Sequence, residues 1–229
     1  MSFEEYKIVI LGTQCFLSGM LNGYKMRCES LPFDWTMTTS LSGITKILRH
    51  KFNDYLNPQY LSNDSDYFDM SHFGAGHNIA NLMISSNIYE DLYTRHHDII
   101  DNETERLTIE RRINRLLHIL SNSDGKEIIF MRYLNDGYLT RKLQDNCVNN
   151  LTLSEDNLST TLSSITDFLD MLSTTYPNVK KFKLLLFTSS RLLYEQVNNE
   201  TIANCKISLV PEVSIPSKTV LQNLIRDNN

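Results

Sequence analysis

Apolar residues along this chain fall into two patterns, short unbroken runs and longer stretches spaced at three and four. The runs are Lys7 to Leu11, Glu127 to Tyr133, Phe182 to Phe187 and Lys206 to Val210. Unbroken runs of this length, rich in Ile, Val, Leu and Phe, predict strands buried on both faces. Helical spacing holds from Glu103 to Ser121, where Leu107, Ile109, Ile113, Leu116, Leu117 and Leu120 share a face, with Arg111, Arg112 and Arg115 beside it. It holds again from Asn157 to Thr174 through Leu162, Ile165, Phe168, Leu169 and Leu172, and Tyr176-Pro177 ends that helix. Shorter helices are predicted at Phe16 to Gly23, from the N-cap Ser40 through Leu48 to Phe52, at Arg191 to Asn198, and at Ser217 to Ile225 behind Pro216. Between Tyr60 and Asn102 periodicity fails, so short strands and loops are expected there, while Thr140 to Leu151 has no clear pattern.

Strands that alternate with helices, each an apolar run, argue for parallel pairing through crossovers. The expected fold class is therefore α/β, a layered and mostly parallel sheet flanked by helices, Rossmann-like. With 229 residues and 41% apolar content there is enough for one sizeable core, so a single domain over residues 1–229 is expected. In such sheets ligands collect at the carboxyl ends of strands. Gly12 to Cys15, Arg132 to Asp136 and Thr188 to Arg191 stand at ends of that kind.

Charge narrows the partners. A net charge of −5 and an isoelectric point near 5.7 supply no basic footprint for nucleic acid or an anionic membrane, so neither is expected as a partner. The apolar run behind Met-Ser-Phe-Glu-Glu-Tyr is too short and wrongly flanked for a signal peptide. Cys15, Cys28, Cys147 and Cys205 are scattered without metal-ligand spacing, so free thiols in a reducing, cytoplasmic setting are expected, with no metal and no cofactor. In that setting the Asn-x-Ser/Thr sequons at Asn63, Asn102, Asn150, Asn157 and Asn199 are chance.

Candidate chemistry starts at Cys15, which leaves the first strand and enters a helix. A thiol there meets the positive end of the helix dipole, which favours thiolate. Cysteine is also among the most buried residue types, so a core thiol is the plain alternative. His72, His77, His96 and His97 fall in the irregular region where site loops are expected, and His50 and His118 lie on helices. In His97-Asp98 the adjacent carboxylate could hold the imidazole tautomer that a thiol needs, and His77 competes for the same role. Pro32-Phe33-Asp34-Trp35 places a carboxylate between two large aromatics, where burial demands a partner for Asp34: a backbone cap, an arginine or a histidine. Arg132 could pair with Asp34 or hold an anionic substrate, and Gly12, Gln14 and Trp35 complete the expected substrate contacts. The Gly12-Thr-Gln-Cys turn lacks the glycine spacing and the lysine of nucleotide loops.

Taken together, Ile-Leu-Gly-Thr-Gln-Cys at 10–15, Ser-Leu-Pro-Phe-Asp-Trp at 30–35, His97-Asp98, Glu110 to Arg115 and Ile129-Phe-Met-Arg132 resemble a bacterial and viral family described as papain-like cysteine peptidases and long held as a domain of unknown function. The resemblance covers roughly residues 7 to 133, and Pro-Phe-Asp-Trp is its most specific element. It implies Cys15 as nucleophile and His97 as base, oriented by Asp98 or Asp34. That family follows His-Asp with an aromatic residue, where this chain has Ile99 and a second histidine, His96, in front, so His77, His96 and His97 all stand as candidate bases. Papain-like folds are α+β with an antiparallel sheet, whereas the strand pattern here predicts parallel pairing.

Three functions compete. The first is a cysteine-dependent hydrolase or acyl-transfer enzyme acting on a peptide or acyl substrate, a host protein included. The second is a non-enzymatic viral or host interaction module. The third is a Rossmann-like transferase using Arg132 and the loop after Phe187 for a phosphorylated or sugar ligand.

Overall fold

A computed structural model describes residues 6–12, 16–27, 29–38, 40–63, 83–89, 92–95, 97–122, 125–134, 158–188, 191, 194–195, 205–209 and 216–226. Four strands, β1 (Tyr6–Ile10), β6 (Glu127–Tyr133), β7 (Phe182–Thr188) and β8 (Cys205–Leu209), form a sheet in the order β1-β6-β7-β8. Every pairing in it is parallel, with Val9 opposite Phe130, Phe130 opposite Leu184 and Leu184 opposite Cys205.

The unbroken apolar runs are explained by the two layers they feed. Successive side chains of a strand point to opposite faces. Val9, Leu11, Ile128, Phe130, Leu184 and Leu186 therefore enter one core, and Ile8, Ile10, Ile129, Met131, Leu185 and Phe187 the other. The first core is closed by α2 (Leu41–Arg49), α3 (Glu103–Ser121) and α4 (Leu158–Thr175), and the second by α1 (Phe16–Gly23) and α5 (Lys218–Arg226). Phe130 meets Phe168 of α4 edge to face, ring centroids 5.2 Å apart. This is the layered parallel α/β fold that the strand pattern predicted.

The region from Tyr60 to Asn102 contributes a second, antiparallel sheet. It has the order β2-β5-β4-β3, from β2 (Thr36–Thr38), β3 (Leu61–Asn63), β4 (Met83–Ser86) and β5 (Leu92–Arg95). None of these strands exceeds four residues, so none carries enough alternation to register as a strand by pattern. β2 was not anticipated at all.

Two helix details differ from expectation. α2 stops at Arg49 rather than near Phe52, because Lys51, Phe52 and Asp54 take positive φ values of 52°, 60° and 57°. That left-handed turn folds Phe52 back so that its ring stacks on Phe33 at 5.3 Å. On α3, Ile109, Ile113, Leu116, Ile119 and Leu120 are buried but Leu107 is exposed, because at 3.6 residues per turn it sits roughly 200° round the helix from Ile109, on the face away from the core. The predicted helix at Arg191 to Asn198 is described only at Arg191, Tyr194 and Glu195, and Thr140 to Leu151 lies outside the described residues. Among the described residues no helix is long and apolar enough to cross a membrane.

Candidate functional site

β1 delivers the chain to Gly12 at the carboxyl end of the sheet. Gly12 adopts φ +65°, and a Cβ there would sit 2.9 Å from Thr38 Oγ1, so only glycine lets β2 approach. Arg132, fully buried near the end of β6, fastens the same junction. Its Nη1 donates to Leu11 O at 2.7 Å and to Thr38 Oγ1 at 2.6 Å, and Nη2 donates to Thr38 O at 3.3 Å. The strand-end arginine thus ties β1, β2 and β6 together.

A second junction forms where α1 meets the turn Pro32–Trp35. Asp34 is fully buried, and both of its oxygens are used: Oδ1 accepts from Arg27 Nη1 at 2.5 Å and Oδ2 from Leu31 N at 2.8 Å. Burial pushes the Asp34 carboxyl above the usual carboxylate range, and the Arg27 guanidinium pulls against it. Ser18 Oγ, in the first turn of α1, donates to Asp34 O at 2.7 Å. The start of α1 is therefore pinned to the Asp34 turn. On the far side Arg115 of α3 donates to Ser30 O at 2.5 Å and pairs with Glu29 at 3.3 Å.

His97 lies just ahead of α3. Arg112 Nη1 stands 3.1 Å from His97 Nε2, and Glu105 Oε2 stands 3.8 Å from Nδ1. A guanidinium has only donors, so Nε2 accepts, and a neutral imidazole then carries its proton on Nδ1, on the side of Glu105. Glu105 is held by its position as the third residue of α3: Asn102 Oδ1 caps Glu105 N at 3.2 Å, while the Glu105 carboxylate accepts from Asp98 N. Asp98 makes local bonds, its Oδ1 accepting from Ile100 N at 3.2 Å and Asp101 N at 2.9 Å. Its carboxylate shapes the turn into α3.

The expected site residues therefore divide. Asp34, His97 and Asp98 gather around the amino-terminal half of α3 and the Pro32–Trp35 turn, while Gly12 and Arg132 form the strand-end junction. Asp34 takes both a backbone cap and an arginine, and the arginine is Arg27, not Arg132. Gln14, Cys15, His77 and His96 lie outside the described residues, as do the other three cysteines' side chains and that of Trp35. His50 and His118 are exposed on their helix ends.

Arg27 and Glu105 were not singled out from the sequence, and Arg112 was marked beside the helix face and within the family-like Glu110 to Arg115 stretch without a role. Asn102-x-x-Glu105 is a recognisable helix start, but nothing local says that its carboxylate turns toward His97. Among the described residues no group of three or more His, Cys, Asp and Glu could hold a metal ion. A shallow cleft lined by Tyr6, Lys7, Met26, Arg27 and Glu29 opens at the amino end of β1, opposite to the Gly12 turn.

A family model described as "putative papain-like cysteine peptidase" matches residues 6–144, a span from β1 past β6 that holds both junctions and His97. The chain is also similar to an uncharacterized protein of Acanthamoeba polyphaga mimivirus, 25% identical over 185 residues, covering 76% of this chain and 79% of that one. No solved structure matches it.

Proposed function

The chain belongs to the family described as papain-like cysteine peptidases, and from that premise we propose that it is a cysteine-dependent hydrolase of peptide or other acyl carbonyls, with Cys15 as nucleophile and His97 as its base. The observation that carries this reading is the bond from Ser18 to the Asp34 carbonyl. It anchors the first turn of α1, the helix that Cys15 immediately precedes, on the same Asp34 turn that Arg112 of α3 approaches, and Arg112 in turn is bonded to His97. A thiol directly before a helix start is favoured as thiolate by the dipole and the free N–H groups.

In the proposed cycle His97 Nε2 accepts the Cys15 proton and the sulfur attacks the substrate carbonyl carbon. The C–S bond forms as the carbonyl π pair moves to oxygen, where backbone N–H groups at the start of α1 can bind it. Collapse breaks the bond to the leaving amine, which takes the proton from His97, and leaves a thioester. Water, deprotonated by His97, then attacks the thioester, the C–S bond breaks, and the proton returns to sulfur. Glu105 is the carboxylate that orients His97, since Asp98 caps the local turn and Asp34 is occupied by Arg27 and Leu31. The reading rests on the thiol and imidazole chemistry and not on a papain topology, which the parallel sheet does not share.

The test is the pH dependence of iodoacetamide alkylation, resolved by residue with mass spectrometry, on the native protein and on His97→Ala, His77→Ala and Glu105→Gln. The expected result is that Cys15 alone reacts as a thiolate well below the usual thiol value of about 8.5, and that His97→Ala alone abolishes the shift. Inert or ordinary Cys15 in every form removes the hydrolase reading, and loss only in His77→Ala transfers the base to that residue.

A further inference from the structure

Three guanidiniums surround the Asp34 turn, and they are used unequally. Arg115 binds Ser30 O and Glu29, and Arg27 binds Asp34 and Asn22 Oδ1. Arg112 is half-buried, and among the described residues its one hydrogen bond goes to His97 Nε2, with no carboxylate in contact. Asp34 is near enough to favour its charge but makes its hydrogen bonds to Arg27 and Leu31 N, and Arg115, Arg27 and Arg111 oppose that charge. Desolvation first, and these cations after it, hold the Arg112 guanidinium below its usual range. Beside it Arg27, with only 5% of its side chain exposed, keeps Nη2 buried without an acceptor among the described residues.

This is a donor-rich, acceptor-poor site. A guanidinium bonded edge-on to a neutral imidazole forgoes the paired, charge-assisted bonds that a carboxylate would supply. The His97 lone pair that must accept a thiol proton is meanwhile occupied by a cation. Both shortages are relieved by one event, arrival of an anion of carboxylate shape at Arg112.

We propose that Arg112 is the specificity residue for a carboxylate on the substrate, and that docking this carboxylate draws the guanidinium off His97 Nε2, so that an imidazole which shares its lone pair between Arg112 and the thiol in the free protein becomes fully available as the base. This rests on the reading of His97 as the base and adds the substrate class, an acyl compound bearing a carboxylate near the bond to be cleaved. An acidic side chain and a free carboxy terminus offer the same chemistry, and the test separates them.

The full chain, labelled with 15N-histidine, is titrated at neutral pH with N-acetylglutamic acid α-amide, which carries the acidic side chain, and with N-acetylalanine, which carries the free α-carboxylate. N-acetylglutamine α-amide is the neutral control. A carboxylate probe is expected to move the His97 Nε2 resonance saturably while the control does not, and the tighter acid names the source. Arg112→Gln should begin with Nε2 already displaced and show no response. Arg112→Lys, a second variant that keeps the charge, should bind about tenfold or more weakly for want of the paired bonds. An unmoved His97 resonance in the native protein, or an unchanged response in Arg112→Gln, overturns the proposal. If His97 responds while Cys15 is inert to iodoacetamide, the carboxylate site stands and the nucleophile is lost; if Cys15 is reactive and His97 unresponsive, only the carboxylate site is lost.

Discussion

Arg132 and Arg112 occupy two regions that look equivalent in sequence, a strand end and a helix face, and the protein uses them in opposite ways. Arg132 is sealed at the carboxyl end of the parallel sheet with Leu11 O, Thr38 Oγ1 and Thr38 O as acceptors. Arg112 lies half-buried between α3 and the Asp34 turn with an imidazole nitrogen as its bonded acceptor. A buried guanidinium surrounded by protein oxygens is a fastener, because moving it would strand three acceptors. One that is only partly desolvated and has no oxygen partner among the described residues retains capacity for a ligand. The difference lies in the acceptors around each arginine and not in the arginine itself.

The same contrast can be sharpened by substitution, and the largest effect should come from the ion pair that supports the α3 region. Arg27→Met leaves the Asp34 carboxylate buried and unpaired, and should cost about 3–5 kcal/mol at neutral pH in urea unfolding. Its pH dependence has a definite sign. Burial already raises the Asp34 pKa in the folded state, so its contribution is fully present below the unfolded value of about 3.9 and declines as pH rises through the folded value. Without Arg27 that folded value rises further, so the gap in stability between variant and native protein should widen from acid to neutral pH. A gap independent of pH would mean that Asp34 is not the charge being stranded.

Next in size is Arg132→Leu, which removes the donors from three buried oxygens and should cost about 3 kcal/mol by the same measurement. Gly12→Ala presses a methyl carbon against Thr38 and holds alanine at positive φ, and should cost about 1–2 kcal/mol. Because Thr38 is also the partner of Arg132, the effects of Gly12→Ala and Arg132→Leu should fall short of additivity in the double variant. Arg112→Gln closes the series, with a change in unfolding free energy of about 0.5 kcal/mol or less. A loss as large as that of Arg132→Leu would erase the comparison and make both arginines structural.

How far the molecule could be read in advance follows the same division. Asp34 announced its need of a partner, since a carboxylate between proline and aromatics in a buried turn cannot stay unpaired. Which partner it takes was not legible. Arg27 is seven residues away and Arg132 is ninety-eight, and no periodicity ranks a guanidinium seven residues upstream above one at the end of another strand. His97 was legible as a histidine beside a carboxylate, yet the carboxylate that faces it belongs to Glu105, one turn into α3, because Asp98 turns back to cap Ile100 and Asp101. The short strands β2 to β5 were blurred for a related reason, being held by pairing with one another rather than by an apolar run of their own.

By itself the sequence determined the four long strands, the helices that follow and cover them, and the parallel sheet. Strand and helix periods are local properties, and an apolar run buried on both faces has few alternatives to a covered parallel sheet. The tertiary structure alone decided the assignment of charges: Arg27 to Asp34, Arg115 to Glu29, Arg132 to the Gly12 turn, and Arg112 to His97. Polar partners are chosen by distance and desolvation once the layers have packed, and neither quantity is written in the order of residues along the chain.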